Sequence, residues 1–269
     1  MTRHPRESGD PSRRIQSKLI FHDNSDIDQL LFDKMSGFDP PPVSSPFNMN
    51  IEQARFNMIE QQIRTWDVLA LDVLDLLKIV KREAFVPAAY QSLAFMDTEI
   101  PLPCGENMLT PKLEARILQE AAVKKHEHVL EIGAGSGYMA ALLAYKARHV
   151  TTIEIEPELK SLAEKNLSAY GISNVDVVLG NGAQGWPGSG ANSAPYDVII
   201  ISGSLPVLPD AFFQQIKIGG RIFAILGEAP VMTAQMITRV SDAGYNMTKL
   251  FETIVKPLRN AVVPSHFRF

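Results

Sequence analysis

Apolar and polar positions divide the chain into three stretches of different rhythm. In residues 1–47, prolines and charges of both signs surround one short apolar patch at 30–32. Such a stretch buries too little apolar surface to offset the conformational entropy that ordering removes. We therefore expect residues 1–47 to be a disordered N-terminal extension.

The second stretch has the spacing of amphipathic helices. Its first apolar positions recur at steps of three and four residues: Phe56, Ile59, Ile63 and Trp66. The same spacing continues through 68–80, and it returns over 113–123 after a looser, proline-containing segment at 95–111. This spacing places the apolar side chains on one face of each helix, so this part of the chain is predicted to be helical.

From residue 128 onward, short apolar strands alternate with helices. The predicted strands are 128–132, 150–155, 175–179, 197–201 and 221–226, with helices at 138–146 and 157–169. Continuous apolar strands alternating with helices predict a parallel sheet covered on both faces. Two further strand-like runs, 234–240 and 247–255, are separated by turn residues and predict an antiparallel hairpin at the sheet edge. The fold class is thus α/β, with a Rossmann-like, mostly parallel sheet.

Composition narrows the possible partners. The formal net charge is −4 and the sequence pI is about 5.9, so we expect neither a nucleic-acid partner nor an anionic membrane surface. No apolar run approaches the ~20 residues that span a bilayer, and no secretory signal begins the chain, so we expect a cytoplasmic protein. The single cysteine, Cys104, and the scattered histidines form no metal-binding pattern, and no metal is expected.

The strongest local motif is a glycine-rich turn between a strand and a helix, VLEIGAGSGY at residues 129–138. Glycines allow a tight turn and let a ligand approach the backbone, while the helix N-terminus offers free N–H groups. A dinucleotide site requires glycines spaced G-x-G-x-x-G, and here Tyr138 occupies the third glycine position. Glu131 would also repel a pyrophosphate, but it suits a cationic amino group such as that of S-adenosylmethionine.

A second acid stands where a ribose would need it. Glu154 ends the next strand, about twenty residues after the turn, and a carboxylate there can accept hydrogen bonds from both ribose hydroxyls. Spacing and charge together therefore favour S-adenosylmethionine over NAD as the cofactor.

With these acids in place, residues 131–138 resemble the first motif of class I methyltransferases, and the chain from about Ala54 resembles the protein-L-isoaspartate O-methyltransferase family. The segments that carry the resemblance are 85–87, 94–97, 100–102, 133–140, 219–221, 252–253 and 257–258. The family implies a seven-stranded sheet, a helical cap with a substrate loop at 48–124, and a cofactor-binding core at 125–269. It also implies methylation of the abnormal carboxylate of isoaspartyl residues in damaged proteins or peptides.

The predicted cofactor-binding residues follow from the motif and the resemblance. They are Glu131, Gly133, Ala134, Gly135, Ser136, Gly137, Glu154, Ile155, Asn181 and Gly182. At Asn181 the family carries an acid between two glycines; the amide keeps an acceptor and loses the charge, so adenosine could still be held.

The cap loop departs further from the family. Relatives carry a Gly-Gln-Thr-Ile-Ser-x-Pro run whose serine lies at the active site, whereas residues 105–111 read GENMLTP and place Leu109 at the serine position. Thr110 offers a hydroxyl one residue later, but neighbouring side chains of an extended segment point to opposite sides. Thr110 and Asn107 are the candidate catalytic residues. An ionised carboxylate needs no general base to take a methyl group, so orientation would supply most of the rate.

Three functions remain open at the level of sequence. The first is an isoaspartyl methyltransferase that tolerates Leu109. The second is a methyltransferase of the same architecture with a different small-molecule or protein acceptor. The third is a non-catalytic binding protein that retains the fold. Glu131 and Glu154 favour the first two, because a protein that no longer uses the cofactor has no need of both acids.

Overall fold

A seven-stranded sheet forms the centre of the described part of the chain, residues 51–263, in a computed structural model. The strands stand in the order β5-β4-β3-β6-β7-β8-β9. Their bounds are β3 His128–Ile132, β4 His149–Glu154, β5 Val175–Leu179, β6 Tyr196–Leu205, β7 Ile216–Glu228, β8 Val231–Arg239 and β9 Tyr245–Glu252. The predicted disordered extension at 1–47 lies outside the described residues.

Strand directions follow the alternation of strands and helices in the sequence. The strands β3 to β7 pair in parallel, and β8 and β9 are added antiparallel at one edge. The predicted α/β fold with a mostly parallel sheet and an antiparallel edge hairpin is confirmed. The chain passes from β3 outward to β5 and then returns beside β3 as β6, so a crevice opens at the carboxyl ends of β3 and β6.

Six α-helices and a small hairpin complete the described fold. The helices are α1 Ile51–Asn57, α2 Leu71–Ile79, α3 Pro111–Ala121, α4 Tyr138–Lys146, α5 Pro157–Ala169 and α6 Asp210–Gln215. Two short strands, β1 Ile100–Pro101 and β2 Asn107–Met108, pair antiparallel within the cap segment. One apolar cluster joins the cap to the sheet, with Ile63, Leu77 and Val129 among its buried members. A second cluster, including Ile199 and Phe212, covers the other part of the core.

The first helical stretch changes its winding, and this overturns part of the predicted apolar face. After α1 the chain forms a π-helix over Met58–Ile63 and a 3₁₀ turn over Arg64–Trp66. Each change of winding rotates the following side chains to a new direction. Ile59 and Ile63 are fully buried as the periodicity predicts, whereas Phe56 and Trp66 are about half exposed.

Candidate active site

A cleft opens at the carboxyl ends of β3, β4 and β6. The sheet supplies one wall through the residues that follow these strands, and the cap loop between β1 and α3 supplies another. Its lining residues include Glu99, Glu106, Asn107, Leu109, Gly133, Gly135, Glu154, Ile155, Asn181, Gly182, Ser202, Lys256 and Arg259. The crevice thus lies where an open α/β sheet places its ligands.

The glycine-rich turn contributes backbone to this cleft. Gly133 and Gly135 both line it, with φ of 96° and 53°, values that favour glycine. A Cβ on Gly135 would stand 3.3 Å from the Leu102 side chain. Ala134 and Ser136 are buried and do not line the cleft in the described structure.

Gly137 has a different position from the other two glycines of the turn. It precedes α4 with φ of 84°, and an added Cβ would lie 3.2 Å from the Cα of Ala163 on α5. It does not line the cleft among the described residues. The close approach of α4 and α5 therefore accounts for this glycine.

Glu154 is fixed by three backbone N–H groups. Its Oε2 accepts from the Gly135 amide at 2.9 Å, and its Oε1 accepts from the amides of Ile155 at 2.9 Å and Glu156 at 3.0 Å. A carboxylate offers about four lone-pair sites, so acceptor capacity remains for a ligand. The acid therefore connects the glycine turn to the end of β4 and still faces the cleft.

Glu131 lies beneath the turn and is fully buried. The hydroxyls of Thr152 and Ser202 donate to its two carboxylate oxygens at 2.7 Å and 2.9 Å. Burial raises the pKa of Glu131 to about 8, although both hydroxyl groups oppose the rise. Glu131 itself does not line the cleft within the described structure, whereas Ser202 does. The Ser202 hydroxyl therefore connects Glu131 to the cleft.

Asn181 and Gly182 line the cleft after β5. The Asn181 Oδ1 accepts a hydrogen bond from the Ala183 amide at 3.1 Å. The Nδ2 group of the same side chain takes no part in this bond. A side chain would be crowded on either side of Asn181. A Cβ at Gly180 would lie 2.5 Å from the Trp186 ring, and one at Gly182 would lie 2.7 Å from Ile132.

The cap loop separates the two candidate catalytic residues. Asn107 lines the cleft, and its Nδ2 donates to the Glu99 carboxylate at 3.0 Å. Leu109 also lines the cleft, whereas Thr110 begins α3 as its N-cap residue and is not among the lining residues of the described structure. The structure therefore places the leucine on the cleft side, and the hydroxyl one residue later does not replace the serine of relatives there.

A buried ion pair supports the loop at Leu109. The Arg82 guanidinium donates to the Leu109 carbonyl at 2.8 Å and pairs with the Glu114 carboxylate of α3. Both charged side chains are almost fully buried. Burial raises the pKa of Glu114 to about 8, with Arg82 opposing the rise.

Besides Glu99, three charged residues at the cleft were not predicted from the sequence. They are Glu106 of the cap loop, and Lys256 and Arg259 of the segment that follows β9. The Glu106 carboxylate lies 2.9 Å from the Lys256 ammonium and 2.7 Å from Arg259 Nε. Glu106 could have been noticed in the sequence, because the family run has glutamine at this position. Its partners Lys256 and Arg259 lie about 150 positions later and belong to no local motif.

Other classes of site are absent from the described residues. Between 51 and 263, no group of three or more His, Cys, Asp or Glu side chains is arranged to hold a metal ion. In the same range no helix is long and apolar enough to cross a membrane. No histidine of this range lines the cleft.

The chain is similar in sequence to known proteins of one family. The family model described as Protein-L-isoaspartate(D-aspartate) O-methyltransferase matches residues 53–262. A protein-L-isoaspartate O-methyltransferase of Koribacter versatilis is 36% identical over 204 residues, which cover 76% of this chain and 90% of the relative. Protein-L-isoaspartate O-methyltransferase 1 of Rhodopseudomonas palustris (strain HaA2) is 38% identical over 206 residues, covering 77% and 81%.

Solved structures share the fold. A protein-L-isoaspartate O-methyltransferase superposes with a TM-score of 0.64 at 24% identity, over 77% of this chain and 65% of that chain. A Plasmodium falciparum structure, named as a beta-aspartate methyltransferase in complex with S-adenosyl-L-homocysteine, gives a TM-score of 0.65 at 18% identity. The alignment covers 77% of this chain and 97% of the Plasmodium chain.

Proposed function

Because the chain belongs to the protein-L-isoaspartate(D-aspartate) O-methyltransferase family, we propose that it methylates a carboxylate of isoaspartyl residues with S-adenosylmethionine. The observation that carries the proposal is the position of Glu154. Its carboxylate lines the cleft at the end of β4 and is joined to the glycine turn by the Gly135 amide. The carboxylate that we assign to the ribose and the glycine-rich turn therefore line one crevice. The substrates would be damaged proteins or peptides.

The chemistry of the cleft lining suits the cofactor. Gly133 and Gly135 would leave room for the ligand against the backbone, Glu154 would accept from the ribose, and Asn181 would offer its amide to the adenine side. Ile155 and Leu159 supply apolar surface. When bound, S-adenosylmethionine supplies a methyl group on a cationic sulfur.

The reaction needs little chemical assistance from the chain. A carboxylate with an ordinary pKa of about 4 is ionised at neutral pH and carries the lone pair that takes the methyl group. No proton has to be removed, so no general base is required. The residues of the cleft would bind and orient the acceptor, and orientation alone supplies a large part of the rate of such transfers.

Leu109 gives weight to a second candidate, a methyltransferase with a different acceptor. Its side chain lines the cleft where relatives carry a serine, so a carboxylate arriving there loses water without gaining a hydroxyl donor. Such a loss costs about 1–3 kcal/mol. We therefore expect isoaspartyl activity about ten- to a hundredfold below that of a site bearing a hydroxyl.

Substitution of Leu109 tests both candidates. The enzyme is incubated with labelled S-adenosylmethionine and matched peptides containing aspartate or isoaspartate, and base-labile methyl esters are counted. Leu109→Ser should raise isoaspartyl methylation by about tenfold, because it restores a donor at the cleft wall. Thr110→Ala is the matched control and should leave the rate unchanged, since Thr110 does not line the cleft in the described structure.

Two outcomes would redirect the assignment. If neither the native chain nor Leu109→Ser methylates the isoaspartyl peptide while both bind the cofactor product, the acceptor is a different one. If native activity is high and Leu109→Ser does not raise it, the leucine does not face the acceptor.

A further inference from the structure

Two positive charges line the same cleft as the residues assigned to the cofactor. They belong to Lys256 and Arg259, on the segment that follows β9, and they are the cationic side chains among the described lining residues. The same lining contains three carboxylates, from Glu99, Glu106 and Glu154. An anionic acceptor entering this cleft would be repelled by these carboxylates and attracted by the two cations.

The two cations hold the Glu106 carboxylate in the structure as it stands, and Arg259 also pairs through Nη1 with the Glu156 carboxylate. Glu106 places Oε2 2.9 Å from Lys256 Nζ and Oε1 2.7 Å from Arg259 Nε. Partial burial works against ionisation, but the hydrogen bonds from Lys256 and Arg259 hold the pKa of Glu106 below its ordinary value. Each carboxylate oxygen therefore has its own cationic donor, which is the geometry that a carboxylate ligand needs.

Glu106 occupies a position where the family run carries glutamine, in the same loop where Leu109 replaces the serine. The loop has thus lost a neutral donor for the acceptor and gained a carboxylate that occupies two cations. All three groups remain partly exposed, so a ligand can exchange with Glu106 without unfolding the loop.

We propose that Lys256 and Arg259 bind the carboxylate of the methyl acceptor, and that Glu106 occupies the same two cations when no acceptor is present. The inference rests on the proposed methyl transfer and names the residues that select its acceptor. A carboxylate that displaces Glu106 keeps lone pairs beyond those that the cations use, so an oxygen remains available for the methyl group.

Methylation itself would reverse the exchange. The acceptor enters with a negative charge and becomes a neutral ester, because a C–O bond forms and the methyl–sulfur bond breaks with its electron pair returning to sulfur. A neutral ester no longer competes with the Glu106 carboxylate for two cations. Glu106 then returns to Lys256 and Arg259, which favours release of the product.

The ionic-strength dependence of acceptor binding tests this assignment. Initial rates with an isoaspartyl peptide are measured over an about tenfold range of salt, which changes the screening of exposed charges. Lys256→Gln should raise KM by about tenfold, leave kcat nearly unchanged and flatten the salt dependence, because one charge-assisted hydrogen bond is lost. Lys256→Arg should restore most of the loss. Glu106→Gln should lower KM by about threefold, because it removes the carboxylate that competes with the acceptor for Lys256 and Arg259.

The controls separate acceptor binding from loop stability and from the proposed reaction. Lys249→Gln, on an exposed position of β9 away from the cleft lining, should change nothing. Calorimetric affinity for S-adenosylhomocysteine should stay within about twofold in every variant, because none removes a cofactor group. Binding of a labelled isoaspartyl peptide in the presence of S-adenosylhomocysteine is measured in parallel by fluorescence anisotropy.

The results distinguish the assignment of Lys256 and Arg259 from the proposed methyl transfer. Turnover with a KM and a salt dependence that Lys256→Gln does not change would overturn this assignment alone. Peptide binding that weakens in Lys256→Gln without any turnover would support the assignment and overturn the proposed reaction. Absence of peptide binding to the native chain would overturn both.

Discussion

At the scale of the residue, Glu154 joins two parts of the cleft. Its carboxylate accepts the Gly135 amide on one side and the amides of Ile155 and Glu156 on the other. These bonds fix the acid at the end of β4 before any ligand arrives, so binding does not have to order it. A preorganised acceptor of this kind spends less binding free energy on immobilisation.

Removal of this carboxylate should weaken cofactor binding. Glu154→Ala eliminates the expected ribose acceptor, and loss of one partner of a buried hydrogen bond costs about 1–3 kcal/mol. We expect the calorimetric affinity for S-adenosylhomocysteine to fall correspondingly, by about ten- to a hundredfold. Glu164→Ala, on the exposed side of α5, is the matched control and should not change the affinity. An unchanged affinity in Glu154→Ala would contradict the placement of the ribose.

The sequence was most informative about residues that belong to local motifs. Gly133 and Gly135 follow β3 and Glu154 ends β4; all three were predicted from spacing and charge, and the structure brings them to one cleft. Lys256 and Arg259 had no such signature, because Arg259 meets Glu106 across 153 positions of sequence. Pairs this distant depend on the tertiary fold, so spacing along the chain contains no information about them.

At the scale of the element, the contact between α4 and α5 explains one glycine of the motif. An added Cβ on Gly137 would meet the Cα, Cβ and carbonyl of Ala163 at 3.2 to 3.3 Å. The motif predicted a cofactor residue here, since all three glycines belong to one turn. A turn that both binds a ligand and begins a packed helix contains some glycines that admit the ligand and others that allow the helices to pack closely. Sequence spacing alone does not distinguish the two.

Substitution of Gly137 should therefore affect stability more than binding chemistry. Gly137→Ala places a side chain at φ of 84° and against Ala163, and a left-handed conformation alone costs about 1–2 kcal/mol. We expect the free energy of unfolding, measured by urea denaturation, to fall by at least this amount. Gly171→Ala is a useful control, because Gly171 has φ of 75° but nothing within 4 Å of an added Cβ. A smaller loss in Gly171→Ala would isolate the contribution of helix packing; equal losses would contradict it.

Element boundaries show where periodicity stops being informative. The strand β7 was predicted over 221–226 and extends over Ile216–Glu228, because pairing with β6 continues past Gly219 and Gly220 through an irregular register. The strand β6 likewise extends to Leu205, beyond the predicted end at 201. Pairing partners, rather than local composition, set these ends.

At the scale of the whole molecule, one buried acid lies in the cap and another lies in the sheet. Glu114 of α3 and Glu131 of β3 are both nearly inaccessible. Burial raises the pKa of Glu114, and the charge of Glu131 raises it further. Glu114 has a cationic partner in Arg82, whereas Glu131 has only the Thr152 and Ser202 hydroxyls. The protonation of Glu131 is therefore linked to folding.

The sign of this linkage follows from the two pKa values of Glu131. Folding raises the pKa from 4.5 to about 8, so between these values the folded state holds a proton that the unfolded state has released. The free energy of unfolding then decreases as pH rises through this window, and it is constant above and below it. The stabilising contribution is thus fully present below about pH 4.5 and is lost as pH approaches 8.

Replacement of Glu131 by glutamine should remove this part of the pH dependence. A glutamine is neutral at every pH, and its amide can still accept from one hydroxyl and donate to the other. We expect the stability of Glu131→Gln relative to the native chain to improve steadily between about pH 5 and about pH 8, measured by urea unfolding without ligand. Glu164→Gln, an exposed control, should follow the native curve at a constant offset. Parallel curves for Glu131→Gln and the native chain would show that Glu131 titrates alike in both states, and that burial does not hold its proton.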